Sequence, residues 1–221
     1  MLSWLGFLEL KQVGKMAESS SAMQRAKAEK VHVIGCGAIA REILAVCEAN
    51  GLDHVDLICL PAIWHNTPEK ITPGIKAAIH KARAEGFSRI FIAYADCGTG
   101  GLLDRLCEEE KVERIAGPHC YSFFAGNAAF ASRWEDDFTS FFLTDFLARQ
   151  FEAFVIEPLG LDRHPELRDM YFGHYKKLVY LSQVEDEKLQ QKARAAAETL
   201  GLAYEYRFTG FGDLTPALLH A

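Results

Sequence analysis

The sequence lacks an excess of positive charge. It contains 24 lysine and arginine residues against 30 aspartate and glutamate residues, which gives a formal net charge of -6 at pH 7. A protein that recognises nucleic acid or an anionic membrane surface needs a basic footprint. The composition therefore predicts neither nucleic acid nor a membrane as a partner. A small-molecule substrate is the expected partner, and formation of a homo-oligomer stays open.

The sequence also lacks a long apolar run. The apolar stretch near its start is interrupted by Glu9 and has no basic residue before it. A membrane-spanning helix needs about 20 apolar residues, and a secretory signal peptide begins with a positively charged region. We expect residues 1–29 to form a flexible N-terminal extension, with Met16 favoured over Met1 as the start of translation. Residues 30–221 are predicted to form a single α/β domain.

A third absence concerns cysteine spacing. None of the six cysteines forms a CxxC pair, so zinc-ribbon and ferredoxin motifs are excluded. Cys47, Cys59 and Cys107 fall within predicted helices or strands and are expected to be ordinary core residues. This pattern is typical of reduced thiols rather than of a disulfide framework, and it predicts a cytoplasmic protein.

The chain after residue 30 alternates apolar strand-like runs with amphipathic helical segments. Such alternation predicts an α/β fold with a mainly parallel sheet, helices on both of its faces, and a phenylalanine-rich helical insertion over residues 120–154. We find no internal repeat. The predicted strands are 31–34, 55–60, 89–94, 112–116, 153–157, 178–181 and 203–208.

Three cysteines each follow a predicted strand, at the point where a helix begins. They are Cys36 in VHVIGCGAIA, Cys97 in IFIAYADCGTGG and Cys120 in RIAGPHCYSFF. The carboxyl ends of parallel strands meet at one crevice, so the three thiols are expected to converge there. Three thiolates suit zinc with one open coordination position, or an iron–sulfur cluster with one iron free for substrate. We therefore predict Cys36, Cys97 and Cys120 as metal ligands.

Other polar residues on the same predicted edge are candidates for acid–base chemistry. His65 follows the second strand, Asp96 precedes Cys97, and His119 precedes Cys120. A histidine whose second ring nitrogen is anchored can serve as an acid, a base or a metal ligand. The glycines of DCGTGG permit a nest of backbone N–H groups that binds an anion, and they are predicted to contact a cofactor or substrate. These glycines are Gly98, Gly100 and Gly101.

The first strand is followed by a GxGxxA pattern formed by Gly35, Gly37 and Ala40. This pattern is typical of dinucleotide-binding turns when an acidic residue ends the second strand. Here the second strand ends in Leu60 and Pro61, which offer no carboxylate to a ribose. We therefore predict no nicotinamide cofactor, and interpret the turn as a device that presents Cys36.

Four strings in order, DCGTGG, GPHCY, LTDFL and LDRHPELRDMYFGHY, carry a family resemblance. Together they resemble the bacterial and archaeal family called domain of unknown function 1638, over residues 31–211. The resemblance implies no established catalytic residue. It implies a link with organisms that carry out corrinoid-dependent methyl transfer, and so a link of this chain with methyl-transfer metabolism.

Three functions remain open on the sequence. The first is a zinc- or iron–sulfur-dependent enzyme that acts on a small anionic metabolite at the three-cysteine crevice. The second is a metal-free thiol enzyme in which Cys97 or Cys120 attacks and His119 supports the thiolate. The third is a non-catalytic protein that binds or delivers a small ligand or cofactor in the same crevice.

Overall fold

A computed structural model describes residues 29–221 of the chain. The predicted flexible extension and the two alternative translation starts fall outside these residues, except for Glu29. Within the described part, no helix is long and apolar enough to cross a membrane.

The structure contains two parallel sheets rather than one. The first sheet has the strand order β2-β1-β3-β4 and the second has the order β5-β6-β7, and every pair of neighbouring strands is parallel. The α/β class with parallel strands flanked by helices is thereby confirmed. The strands are β1 Val31–Cys36, β2 Val55–Leu60, β3 Arg89–Ala93, β4 Glu113–Arg114, β5 Ser140–Leu143, β6 Lys177–Ser182 and β7 Ala203–Phe208.

Helices connect the strands, as parallel pairing requires. Short 3₁₀ turns cover Gly37–Ile39, Ala62–Asn66, Pro68–Lys70 and Pro165–Leu167, and a π-helical turn covers Glu152–Ile156. The α-helices are α1 Ala40–Asn50, α2 Ile71–Ala84, α3 Leu102–Glu110, α4 Cys120–Ala125, α5 Asn127–Ser132, α6 Trp134–Asp137, α7 Asp145–Arg149, α8 Arg168–Phe172, α9 Glu187–Leu200 and α10 Leu214–His220.

Local sequence explains why the long helices begin and end where they do. The Asp186 carboxylate accepts hydrogen bonds from the N–H groups of Lys188 and Leu189, at 2.8 and 3.2 Å, and so caps the start of α9. The same helix ends at Gly201, whose φ of 71° is the left-handed conformation that glycine adopts without strain.

Each sheet has its own hydrophobic core. The first core joins β1 and β3 to the apolar faces of α1, α2 and α3, and it also includes Leu214 and Leu218 of α10. The second core joins β6 to α9 and the π-helical turn. The chain therefore leaves the first core, builds the second sheet, and returns to the first core at α10.

Two predictions about strands are wrong. Residues 153–157 lie within a π-helical turn and its end, while the strand that pairs with β6 is Ser140–Leu143, inside the predicted helical insertion. A short apolar run has no periodicity that separates a buried strand from a buried helix, and both segments are such runs. In addition, the strand predicted over 112–116 shortens to the two residues of β4.

The parallel register places the carboxyl ends of β1, β2 and β3 side by side at one edge of the first sheet. Gly35 of β1 lies opposite Cys59 of β2 on one side and Ala93 of β3 on the other. The three strands thus end within one or two residues of each other. The residues that follow them meet at one edge of the first sheet, on the side that faces the second sheet.

Candidate functional site

Cys36, Cys97 and Cys120 converge, as the strand-end positions predict. All three line one small cavity of about 10 Å³, together with His65 and Tyr94. Such a volume is about the room that one water molecule needs. Residues separated by 84 positions in the sequence therefore share one enclosed space.

Cys36 ends β1 and opens the turn to α1. Its Sγ accepts a hydrogen bond from the N–H of Ala38 at 3.4 Å, so the thiol caps the turn. The side chain is 3 % exposed, and burial raises the pKa of the thiol to about 11. The turn places Cys36 on the wall of the small cavity, and the N–H of Ala38 is already used by the protein itself.

Cys97 is held in an unusual backbone conformation. Its φ is 49°, a value that few residues other than glycine adopt. The N–H of Asp96 donates to the carbonyl of Gly117 at 3.1 Å, and the N–H of Cys97 donates to the carbonyl of Pro118 at 2.9 Å. These two bonds tie the Cys97 loop to the segment that leads into Cys120.

The thiols of Cys97 and Cys120 are protonated in this environment. Burial raises the pKa of Cys97 to about 12, with a further contribution from the neighbouring Cys36. Burial also raises the pKa of Cys120, and Cys97 and Cys36 add to that effect. A charge on Cys36 therefore opposes ionisation of Cys97, and charges on Cys97 and Cys36 oppose ionisation of Cys120.

The three sulfurs do not form a finished metal site as they stand. Within residues 29–221, no group of three histidine, cysteine, aspartate or glutamate side chains is arranged so that it could hold a metal ion. The convergence of Cys36, Cys97 and Cys120 on one cavity is a finding, and their role as metal ligands stays a prediction.

His65 is the predicted acid–base residue that the structure brings to the cysteines. It lines the cysteine cavity, and its Nδ1 lies 3.0 Å from the Ala62 carbonyl and 3.8 Å from Sγ of Cys36. A carbonyl only accepts, so Nδ1 carries the proton and Nε2 keeps its lone pair. Burial lowers the pKa of the imidazole, although the bond to Ala62 opposes this, so the ring is neutral at pH 7.

Tyr94 is a site residue that the sequence reasoning missed. It follows the last residue of β3, is 1 % exposed and lines the cysteine cavity. Its hydroxyl lies beside the Cys36 thiol, a weak acceptor, and makes no hydrogen bond of normal geometry among the described residues. Buried tyrosine hydroxyls usually find a stronger partner than a thiol. The available signal was a polar side chain at the end of an otherwise apolar strand.

Asp96 does not line either cavity at this edge. Its carboxylate accepts hydrogen bonds from the Thr99 hydroxyl at 2.5 Å and from the N–H groups of Gly101 and Gly100 at 2.9 and 3.1 Å. Burial opposes ionisation of Asp96, yet these three bonds together lower its pKa. The group is therefore an ionised carboxylate that closes the loop, which is a structural task.

The glycines of the same loop serve the turn. Gly98, Gly100 and Gly101 have φ values of 84°, 64° and 82°. The N–H groups of Gly100 and Gly101 point at the Asp96 carboxylate, so the predicted anion nest is filled by a side chain of its own loop. In this structure the two N–H groups are not available to a cofactor or substrate.

His119 acts as a helix cap in this structure. Its Nδ1 accepts a hydrogen bond from the N–H of Ser122 at 3.3 Å at the start of α4. The ring packs against Tyr121 and Phe130, with centroids 5.3 and 5.1 Å away. Burial lowers its pKa. His119 is absent from the lining of the cysteine cavity, so His65 is the better-placed acid–base group.

The remaining cysteines divide into two kinds. Cys107 is buried and Cys47 partly buried, and both pack in the first core as expected. The sequence predicts Cys59 in the core as well, but it is exposed. It lies on the outer strand β2, where one side of the strand has no neighbour in the sheet.

A larger cavity of about 460 Å³ adjoins the cysteine cavity. It lies between the two sheets, and we call it the crevice. Four residues line both spaces, which makes them continuous. They are Ala38, Ile39, His65 and Cys120. The far wall of the crevice comes from β5, α7 and the π-helical turn of the second sheet.

The fold and the site define a parallel α/β protein of two sheets with a cysteine-lined cavity at the head of the crevice between them. The family model described as "Protein of unknown function (DUF1638)" matches residues 59–218, and the chain belongs to that family. The family resemblance seen in the sequence is thereby confirmed.

Comparisons with other known proteins add little. No curated protein matches the sequence significantly. Among solved structures, the chain is similar to ornithine carbamoyltransferase from Pyrococcus furiosus, with a TM-score of 0.24 and 13% sequence identity over 91% of this chain. The chain spans 61% of the length of that structure. A likeness this low carries no argument about function.

Proposed function

We propose that the chain is an enzyme that binds one metal ion, of which zinc is the best candidate, between Cys36, Cys97 and Cys120. The ion would act on a small molecule held in the crevice. The observation that carries the proposal is the shared cavity, because three separate chain segments each deliver one thiol to a single enclosed space. Three protein ligands and one open position is the usual arrangement of catalytic zinc.

The size of the cavity favours a single ion over a cluster. About 10 Å³ is room for one atom or one water molecule. A [4Fe–4S] cluster has eight atoms and would need the surrounding chain to move apart. We therefore place mononuclear chemistry ahead of the iron–sulfur alternative.

The pKa values favour a metal over a metal-free thiol nucleophile. A reactive cysteine is usually one whose pKa is lowered by a positive environment. Here burial raises the pKa of Cys36 to about 11 and that of Cys97 to about 12, so neither is a thiolate at pH 7. A bound metal ion supplies the positive charge that deprotonates such thiols outright.

Within residues 29–221 no three ligating side chains stand in a metal-holding arrangement, so the binding of an ion requires the sulfurs to shift. The N–H of Ala38 can keep its contact with Cys36, because a metal-bound thiolate still accepts hydrogen bonds. The proposal thus includes a rearrangement of side chains at the three strand ends.

Two further groups have tasks that follow from their position. His65 presents an unprotonated Nε2 beside both cavities and can accept a proton from a bound substrate. Tyr94 carries a buried hydroxyl that can donate a hydrogen bond to an oxygen in the cysteine cavity. A zinc ion, when bound, would supply Lewis-acid polarisation or activation of water.

The test is the metal content of full-length protein purified without oxygen. We expect about one equivalent of zinc per chain by elemental analysis. The variants Cys36→Ala, Cys97→Ala and Cys120→Ala should each lose the metal. The matched controls are Cys47→Ala and Cys107→Ala, which should keep the metal while losing about 1 kcal/mol of stability through a small core cavity.

The alternatives give different results. Brown protein that contains iron and sulfide would replace the single ion with a cluster at the same cysteines. Protein without metal in all forms, or equal metal retention in all five variants, would overturn the proposal. In the first of these cases the metal-free thiol enzyme and the non-catalytic binding protein remain, and turnover of a candidate substrate would separate them.

A further inference from the structure

The crevice differs from the site that a small anionic metabolite would need. None of the side chains that line it, within the described residues, is a lysine, arginine, aspartate or glutamate. The nearby cation Arg149 is engaged elsewhere, with Asp145 at 3.6 Å and Glu42 at 3.7 Å. An anion that entered the crevice would lose its hydration without gaining a partner charge from the side chains that line it, which is unfavourable.

The walls of the crevice are mainly aromatic and aliphatic. Phe146 and Phe154 meet edge to face with ring centroids 4.8 Å apart, and Phe141 and Leu147 extend the same apolar surface. Rings that already touch edge to face leave no space between them, but together they form an apolar wall against which a flat group can lie. The volume of about 460 Å³ lies within the range of about 300 to 1,000 Å³ that small-molecule sites occupy.

Polar groups occur on the lining, and some of them lie at its end nearest the cysteines. His65 borders the cysteine cavity with an acceptor nitrogen, and Tyr121, which directly follows Cys120, also lines the crevice. Beyond them lies the hydroxyl of Tyr94, and the group beside it is the Cys36 thiol, which is a weak hydrogen-bond acceptor. Because this side chain is only 1 % exposed, its hydroxyl can donate a stronger hydrogen bond to an oxygen of a bound molecule.

From these three observations we infer that the crevice binds an uncharged small molecule with a flat apolar body and one hydrogen-bonding end, and that this end faces the cysteines. The body lies against Phe141, Phe146 and Phe154, and the polar end lies near His65. This inference deepens the proposed function by naming a neutral substrate class, where the sequence analysis expects a small anionic metabolite. It rests on that proposal only for the chemistry at the polar end, because the lining of the crevice does not depend on a metal.

The test compares two probes that share one aromatic body. Acetylnaphthalene is neutral, and its carbonyl oxygen can accept a hydrogen bond from the Tyr94 hydroxyl, since Nε2 of His65 only accepts. Naphthoate carries a carboxylate that is ionised at about pH 7.5. Binding to full-length protein is measured by equilibrium dialysis, on protein as purified and after treatment with a chelator. We expect the neutral probe to bind at least about tenfold more tightly than the anion in both preparations.

A charge-introducing variant locates the binding. Leu147 is partly buried on the crevice wall, and Leu147→Arg should weaken acetylnaphthalene and strengthen naphthoate, which reverses the preference. Leu44→Arg makes the same change on α1 at a side chain that is 56% exposed and lies away from the crevice lining. That control should leave both affinities unchanged.

Two results would overturn the inference. One is naphthoate binding as tightly as acetylnaphthalene, or neither probe binding saturably. The other is a Leu147→Arg variant that prefers acetylnaphthalene over naphthoate to the same extent as the Leu44→Arg variant does. Failure of the metal proposal gives a different result. The protein would then lack zinc, and acetylnaphthalene would still bind to it both before and after treatment with the chelator.

Discussion

The indole ring of Trp64 occupies the space that a methyl group on Gly74 would fill. A Cβ atom added to Gly74 would lie 2.2 Å from Cζ3 and 2.5 Å from Cη2 of that ring. Gly74 sits in the first turns of α2, where glycine is normally a poor choice. The close approach of the two residues fixes the turn that carries His65, which directly follows Trp64.

Gly74→Ala should therefore reverse the usual effect of such a change. In an open helix position alanine stabilises by about 0.4 to 1 kcal/mol, whereas here the clash should destabilise the protein by about 1 to 3 kcal/mol. Urea unfolding of the full chain measures this. In a Trp64→Leu background the same change should be close to neutral, and an equal cost in both backgrounds would show that the ring does not limit position 74.

Gly212 provides a second test of whether a close contact with the backbone excludes a side chain. A Cβ atom there would lie 2.2 Å from the carbonyl oxygens of Phe123 and Phe124, and its φ is 49°. Gly210 has a similar φ of 57°, and a Cβ atom added there would meet nothing within 4 Å. Gly210→Ala should cost about 1 kcal/mol through the left-handed conformation alone, and Gly212→Ala should cost several times more or prevent folding. Similar melting temperatures for the two variants would contradict this.

The Asp137–Arg207 pair predicts a dependence of stability on acid pH. The two guanidinium nitrogens donate to the carboxylate at 2.5 and 2.6 Å, and the bond from Arg207 lowers the pKa of Asp137 to about 2. A lowered pKa in the folded state stabilises the fold above the unfolded value of about 4, and this contribution is lost as pH falls from about 4 to 2.

The expected contribution is on the order of 2 kcal/mol at neutral pH. Asp137→Asn should lose at least that amount and flatten the fall in stability between about pH 4 and pH 2. Asp136→Asn, at the exposed neighbouring position, is the control and should follow the original protein. If the stability of Asp137→Asn fell between about pH 4 and pH 2 as steeply as that of the original protein, other carboxyl groups would govern its acid unfolding.

Thiol reactivity should follow exposure and not position in the site. At about pH 8 a thiol with a pKa of about 11 is ionised in about one molecule in a thousand. Iodoacetamide should therefore modify the exposed Cys59 first in metal-free protein, and Cys36 and Cys97 last. Mass mapping over time measures the order, with denatured protein as the control in which all sites react. Fastest modification of Cys97 or Cys120 would support the metal-free thiol enzyme.

The absence of a nicotinamide cofactor remains a prediction with a direct test. Cys36 already binds the N–H of Ala38 at the turn where a pyrophosphate would lie. Neither NADH nor NADPH should change its fluorescence on titration with the protein. Saturable binding of either at micromolar concentration would reverse our interpretation of the Gly35–Gly37 turn.

The sequence allowed prediction of features that depend on neighbours in the chain. The strands over 55–60 and 203–208 have the predicted bounds, because apolar runs bounded by turns are a local signal. The convergence of Cys36, Cys97 and Cys120 was also predictable, since the carboxyl ends of parallel strands share an edge whatever the strand order.

Features that depend on distant partners could not be predicted in the same way. The division into two sheets follows from the pairing of β5 with β6, and the sequence of Phe141 and Phe142 is equally compatible with a helix. His119 and Asp96 looked available because their hydrogen-bond partners Ser122 and Gly101 are backbone groups, whose positions the sequence does not state. The position of the Tyr94 hydroxyl beside the Cys36 thiol is visible only once the surroundings of both residues are known.

The return of α10 to the first core has a mechanical consequence. The second sheet is joined to the first through two chain crossings, one before β5 and one after β7, because Leu214 and Leu218 are anchored beside α1. The two sheets are therefore connected at two places along the chain, and any change that separated them would have to move both connections together.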